Sequence, residues 1–153
     1  MSLSNFVKRI RDIMRNDAGI NGDAQRIEQM AWMLFLKVYD AKEKDWEFDD
    51  EDYVSIIPEE CRWSNWAVDD RSGNAMTSDN LLNFVNNTLF PTLKGLSVSK
   101  DTPIKKSIVK TTFEDANNYM KDGVLLRQVI NVIDELELDD YEESHAFGDI
   151  YET

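Results

Sequence analysis

One cysteine, one histidine, three prolines and six glycines among 153 residues leave few routes to catalysis or to unusual backbone geometry. Cys61 stands alone, so no internal disulfide can form, and a reducing compartment fits that usage. His145 has no nucleophile set beside it, so a histidine-based triad has nothing to rest on, and it reads as a surface or linker residue. One His and one Cys are too few for a structural zinc site. The glycines, at 19, 22, 73, 95, 123 and 148, never form Gly-x-Gly or Gly-Gly. A phosphate-cradling loop is thereby excluded from these residues. The prolines follow Ile57, Phe90 and Thr102, so there is no Asn-Pro-Pro turn. No apolar run reaches the ~18 residues of a membrane span, and the N-terminus lacks a secretory apolar region. The chain therefore reads as cytoplasmic, with no membrane partner.

What is present is a soluble globular composition, 42% apolar and 31% charged, of a length that suits one domain. A domain of this size buries roughly 70% of its unfolded surface and needs no disulfide or metal to hold it. The net charge of −13 argues against nonspecific grip on nucleic acid, yet it is uneven. Residues 1–16 carry +3 and residues 94–110 carry +4, while 17–93 and 111–153 each carry −10. Solvated helix faces are the plain reading of the charged segments. The acidic run Asp49–Asp52 lacks the alternating oxygen ligands and the glycine of a calcium loop. Asn86-Asn87-Thr88 matches a glycosylation sequon but reads as helix surface, and Cys61, between Glu60 and Arg62, as an inert thiol.

Apolar spacing predicts an all-α, bundle-like domain of about five to six helices with a long central loop. In "SNFVKRIRDIMRN" Phe6, Ile10, Ile13 and Met14 share one face, Lys8, Arg11 and Arg15 the other, with Ser4 as cap. "DAQRIEQMAWMLFLKVYDAKEK", capped by Asp23, has a stripe of Ile27, Met30, Ala31, Leu34, Phe35 and Val38. Trp32, Met33, Leu36 and Tyr39 widen that stripe almost all round, so this is the central helix. Residues 53–75 have no period and read as loop or short turns. A helix follows from Thr77 or Ser78, which Pro91 ends or bends. Thr102 and Pro103 open another, with Ile104 and Ile108 four apart. "DGVLLRQVINVIDELEL" closes the set, and Ser144 to Tyr151 reads as a further helix beginning.

Two groups of residues have binding chemistry. Lys8, Arg11 and Arg15, joined by Lys105, Lys106 and Lys110, are candidates to hold DNA phosphates, contacts that position a duplex without reading it. Trp63 and Trp66, three apart, are candidates to stack on bases or anchor a partner, with core packing as the competing reading. No catalytic, cofactor-binding or metal-ligating residue is assigned.

At "MAWMLFLKVYDAKEKDWE", "GVLLRQVINVIDELEL" and "FGDIYE" the chain resembles the N-terminal helical domain of the modification (methyltransferase) subunit of type I restriction–modification systems. The resemblance spans nearly the whole chain. It implies a parent that methylates adenine N6 in DNA with S-adenosylmethionine, using a Gly-rich loop and an Asn-Pro-Pro-aromatic motif. Neither motif is in these residues, so the chain alone is expected to be no enzyme and to hold no cofactor. Residues 1–140 would be the helical domain and 141–153 the start of a connection to an absent catalytic domain. The reading frame is then expected to continue past Thr153. The implied partners are double-stranded DNA, the specificity subunit, a second modification subunit and, as a further one, the restriction subunit. The alternative is a small acidic protein-interaction module that imitates the charge of DNA. A surface with a distinct basic patch favours the first reading, and a continuous acidic ribbon the second.

Overall fold

A computed structural model describes residues 3–136. The domain is all-α, and no strand occurs among the described residues. Its helices are α1 (Leu3–Met14), α2 (Asp23–Asp49), the short α3 (Trp63–Trp66), α4 (Ser78–Phe84), α5 (Phe90–Lys94), α6 (Ile104–Glu114) and α7 (Gly123–Asp134). A π-helical turn, Val85–Leu89, joins α4 to α5, so these read as one helical run. The expected helix start within Ser144–Tyr151, His145 and the segment 141–153 lie outside the described residues.

Phe6, Ile10 and Met14, four apart, are fully buried where α1 packs on α7. Ser4 falls inside the first turn of α1 rather than capping it. Helix α2 is the central element. Trp32, Met33, Leu34 and Leu36 are each at most 1% exposed, and Trp32 meets the edges of Phe90 and Phe113 at 4.9 and 6.3 Å. All four residues that widen the stripe are buried, while Ile27, Ala31, Phe35 and Val38 of the stripe itself are half-buried, so the helix is enclosed on several sides. Its cap differs from expectation. Gly22 holds that position at φ 88, a backbone region that glycine alone enters freely, and Asp23 pairs with Arg26 at 2.8 Å in the first turn.

Pro91 does not end its helix. Its ring would press on the carbonyl of Asn87 in a regular turn. The π turn opens the backbone at that point, and the helix continues to Lys94. Ile104 and Ile108 also depart from expectation, being 83% and 43% exposed. Val109 and Phe113 supply the buried face of α6. Thr102 caps nothing there; its Oγ1 accepts the Ser99 N–H at 3.0 Å and closes the preceding turn. The central loop is tied down by buried Arg127, whose Nε donates to the Met76 carbonyl (2.7 Å) and Nη1 to that of Ala67 (2.6 Å).

Helix α7 starts under tight constraint. Asp122 caps it, accepting from the N–H groups of Val124 (2.9 Å) and Leu125 (3.1 Å). At Gly123 a Cβ would stand 1.9 Å from the Ser78 carbonyl oxygen. Just ahead of the cap, the carboxylate of Asp17, 3% exposed, reaches across from the α1–α2 turn. It accepts from Gly19 (2.7 Å), from Lys121 with both oxygens (3.0 and 3.1 Å) and from Asp122 (3.0 Å). Gln29 of α2 grips the same segment, donating to Asn118 Oδ1 and accepting from the Tyr119 N–H, each at 2.7 Å.

Replacing Asp17 by alanine leaves the N–H groups of Gly19, Lys121 and Asp122 without this acceptor. Buried donors left unmet cost about 1–3 kcal/mol each before relaxation. Urea unfolding of Asp17→Ala should show a loss of about 2–4 kcal/mol, and Asp17→Asn should restore only part of it. A midpoint unchanged in Asp17→Ala would remove the clamp from the account of stability.

Candidate nucleic-acid interface

Burying Phe6, Ile10 and Met14 against α7 turns the opposite face of α1 to solvent, and Lys8, Arg11 and Arg15 on it are exposed. At ~1.5 Å rise per residue, that basic stripe runs about 10 Å along the axis. Arg15 approaches Asp12 at 3.9 Å, a loose surface pairing. Arg9, at the edge of the stripe, reaches Glu135 beyond the end of α7 at 2.7 Å. That bridge joins the edge of α1 to the end of the helix it packs on.

The second basic segment is arranged differently, on α6 against α5. Lys110, expected as a phosphate ligand, is half-buried and donates to the carbonyls of Lys94 (3.1 Å) and Leu96 (2.7 Å) at the end of α5. Lys94 reciprocates, donating to the carbonyls of Glu114 (3.2 Å) and Ala116 (3.0 Å) at the end of α6. Each lysine thus satisfies the orphan carbonyls of the other helix and offsets its C-terminal dipole. Lys110 is corrected from a phosphate candidate to a structural cap. Lys105 lies 4.8 Å from the Trp46 ring centre and 5.5 Å from that of Tyr53, and Lys106 lies 4.9 Å from Tyr53. Both are cation–π contacts.

Trp63 and Trp66 are only 2% and 5% exposed. Their rings meet edge to face at 5.4 Å. The Trp63 indole N–H donates to Asp134 Oδ1 at 2.8 Å, and that of Trp66 to the Cys61 carbonyl at 3.0 Å. With both faces packed and both N–H groups met, neither ring is open to a base. Stacking and partner anchoring are corrected to core packing.

A polar network that the sequence did not flag lies between α2 and the central loop. Glu43 is fully buried and accepts the Tyr53 hydroxyl at 2.7 Å. Arg62 pairs with Glu47 at 2.6 Å and faces Glu43 and Asp40 at 3.8 and 3.9 Å. Burial works against the Arg62 charge, but the Glu47 hydrogen bond and the Glu43, Glu47 and Asp40 charges outweigh it and hold the guanidinium above its ordinary value. Burial first, then the hydrogen bond to Glu43, keeps the Tyr53 phenol protonated well past its usual range. Tyr39 donates to the Lys105 carbonyl at 2.7 Å. It is pushed up to about 12, by burial and then by the Glu43 charge. Burial, helped by Glu60, likewise raises the Cys61 thiol to about 11, which keeps it inert near neutrality. No cluster of potential metal ligands occurs among the described residues.

Comparison with known proteins places this geometry in context. A family model described as the HsdM N-terminal domain matches residues 3–133. The type I restriction enzyme EcoEI methylase subunit of Escherichia coli is 48% identical over 152 residues, which cover 99% of this chain and 30% of that protein. A crystal structure from Vibrio vulnificus YJ016, described as a modification subunit of a type I restriction enzyme, superposes with a TM-score of 0.85 at 30% identity. The match covers 98% of this chain and 34% of that one. A second structure, from work on complex assembly and conformational transition of the type I R-M system, gives a TM-score of 0.79 at 31% identity. That match covers 98% of this chain and 29% of that one. The chain thus spans about a third of the length of these relatives.

Two measurements check the buried geometry. Trp66→Ala should cost about 3–5 kcal/mol in urea unfolding, the range for a core aromatic; a loss within the noise would return Trp66 to the surface. The raised phenols give stability that is full below pH 10.0, the ordinary tyrosine value, and is lost as pH rises toward about 12. Absorbance titration should show Tyr39 ionising only as the fold loosens in that window, and ionisation of every tyrosine near 10.0 in the folded protein would contradict the network.

Proposed function

This chain belongs to the family of HsdM N-terminal domains, the helical N-terminal parts of type I modification subunits, and from that membership we propose a non-catalytic, positioning role. In the assembled enzyme the domain holds double-stranded DNA through phosphates and contacts the specificity subunit and a second modification subunit, with the restriction subunit as a further neighbour. The parent subunit transfers a methyl group from S-adenosylmethionine to adenine N6, and this chain supplies none of that machinery. The residues present do not fit the cofactor. There is no closely spaced glycine pair to let a backbone approach it, and the buried Trp63 and Trp66 offer no open aromatic face. No helix among the described residues is long and apolar enough to cross a membrane. A cytoplasmic site, where DNA is met, is part of the same reading.

One observation carries the DNA contact. A chain of net charge −13 turns a face of three exposed basic residues, Lys8, Arg11 and Arg15, to solvent, with its apolar side locked against α7. A patch of that kind on an acidic body favours positioning of phosphates over imitation of DNA, which calls for an unbroken acidic ribbon. The ammonium groups of Lys105 and Lys106 are engaged by aromatic rings and Lys110 by carbonyls, so the α1 face is the main phosphate contact.

Neutralising Lys8, Arg11 and Arg15 to glutamine in the assembled enzyme should weaken DNA binding. It should also reduce the slope of log K against log salt by about 2–3, near 0.9 for each phosphate no longer neutralised. An unchanged slope would rule out the α1 face as the phosphate contact.

A further inference from the structure

Glycine directly follows an asparagine or aspartate at two places in the sequence, Asn21-Gly22 and Asp122-Gly123. At such a pair the main-chain nitrogen of the glycine can attack the side-chain carbonyl carbon before it, because no Cβ hinders the approach. The fold treats the two pairs in opposite ways. Asp122 is held as the cap of α7, its Oδ1 accepting from the N–H groups of Val124 and Leu125 at 2.9 and 3.1 Å. Gly123 is buried, and the Ser78 carbonyl oxygen stands 1.9 Å from where its Cβ would be. Capping and close packing leave that pair no room to close a ring. Asn21 and Gly22 are both exposed, where the α1–α2 turn enters α2. Nothing lies within 4 Å of the position a Gly22 Cβ would take. Gln25 Oε1 accepts the N–H of Asn21 at 2.7 Å, not that of Gly22. Among the described residues, neither the Gly22 N–H nor the Asn21 side-chain amide has a hydrogen-bond partner.

We propose that Asn21 is a site of spontaneous deamidation in the folded protein, with hydroxide and water as its co-reactants. Solvent base draws the proton from the Gly22 nitrogen, which attacks Asn21 Cγ. The new N–Cγ bond closes a succinimide ring, the Cγ–Nδ2 bond breaks, and the amide leaves as ammonia with a proton returned from solvent. Water then opens the ring at either carbonyl and the ring nitrogen regains its proton. Opening at Cγ leaves aspartate. Opening at the main-chain carbonyl leaves isoaspartate, with Gly22 joined through the former side chain. No step exchanges electrons. Every other asparagine in the chain is followed by a residue with a Cβ. Both products put a carboxylate at the head of α2, where the helix dipole favours it. Isoaspartate also lengthens the main chain by one atom between Asp17, which grips the approach to α7, and the start of α2. The modification is independent of the positioning role above.

The test incubates the folded chain, and the same chain unfolded in guanidinium chloride, in mildly alkaline buffer before digestion with trypsin. Mass spectrometry follows the peptide 16–26, which holds Asn16 and Asn21. Asn21 of the folded chain should gain the mass of amide-to-acid conversion before any other asparagine. Its rate should lie within about threefold of the unfolded chain's, because an exposed segment needs little or no opening free energy. Asp122-Gly123 is the internal control: its isoaspartyl peptide should appear in guanidinium chloride and not in the folded chain. Gly22→Ala should slow conversion by about tenfold or more by hindering the attack. Alanine is strained at the φ of 88 found there, so Asn21→Gln, which leaves the backbone alone, is the second variant and should remove the early mass gain from the peptide. Slower conversion of Asn21 in the folded chain than that range allows would overturn the proposal, as would an isoaspartyl product at Asp122-Gly123 in the folded chain or a mass gain that persists at the native rate in Asn21→Gln.

Discussion

The buried carboxylate of Asp17 is the constraint on which the arrangement turns. A polar group with so little water is tolerable only when hydrogen bonds replace its hydration. Here the replacement is main-chain: the N–H groups of Gly19, Lys121 and Asp122. One end of that set belongs to the turn that leaves α1, the other to the approach to α7. The next residue in line, Asp122, then caps α7. One side chain thus fixes where two helices meet, before any apolar packing is counted. Packing of α1 on α7 depends on that register, and the outward aim of Lys8, Arg11 and Arg15 depends on the packing. The basic face is a consequence of a buried acid on the other side of the same turn.

A comparable exchange holds the α5–α6 pair. Short helices end with unmet carbonyls, and α5 is only five residues long. Lys110 and Lys94 satisfy each other's helix ends, which removes two cations from the surface and ties the end of α6 to the end of α5. At the other end of α6, Lys105 and Lys106 lie over Trp46 and Tyr53. Four of the five basic residues of segment 94–110 are in this way engaged within the domain. Charge summed along a sequence counts such residues alike, whereas each of these four has a partner inside the domain.

The helices could be read from the sequence because their evidence is local. Spacings of three and four in α1 and α7 survive folding, since those helices bury the faces they advertise, whereas in α2 only Met30 and Leu34 of the predicted stripe are buried and the residues that widen it fill the core. Where neighbours decide, the reading failed for identifiable reasons. Ile104 and Ile108 have helical spacing, but α6 turns Val109 and Phe113 inward, and nothing within six residues could reveal that choice. Pro91 obeyed its usual steric rule only in part, because a π turn absorbed the clash. The tryptophan pair was correctly placed on one side of a single turn, yet only the fold shows that this side faces inward. Asp17 gave no signal at all. It stands in a run of turn-forming residues, and its partners lie more than a hundred positions away. The basic face of α1 was legible because amphipathicity fixes both sides of a helix together; the Lys110 cap was not, since its acceptors lie on another helix.

A basic face on an acidic chain raises a question of range. At physiological ionic strength, charges more than about 8 Å apart through water are largely screened. Helix α2 has 27 residues and so extends about 40 Å from the turn that follows α1 to the tip at Asp49. The carboxylates of the tip are thus several screening lengths from the Arg15 end of the basic stripe. They weaken its field little at cellular salt, while at low salt their repulsion reaches across the domain. A long rigid helix between two oppositely charged surfaces keeps their fields apart at cellular salt. The net charge of −13 is then a sum over local faces of opposite sign that the central helix holds apart.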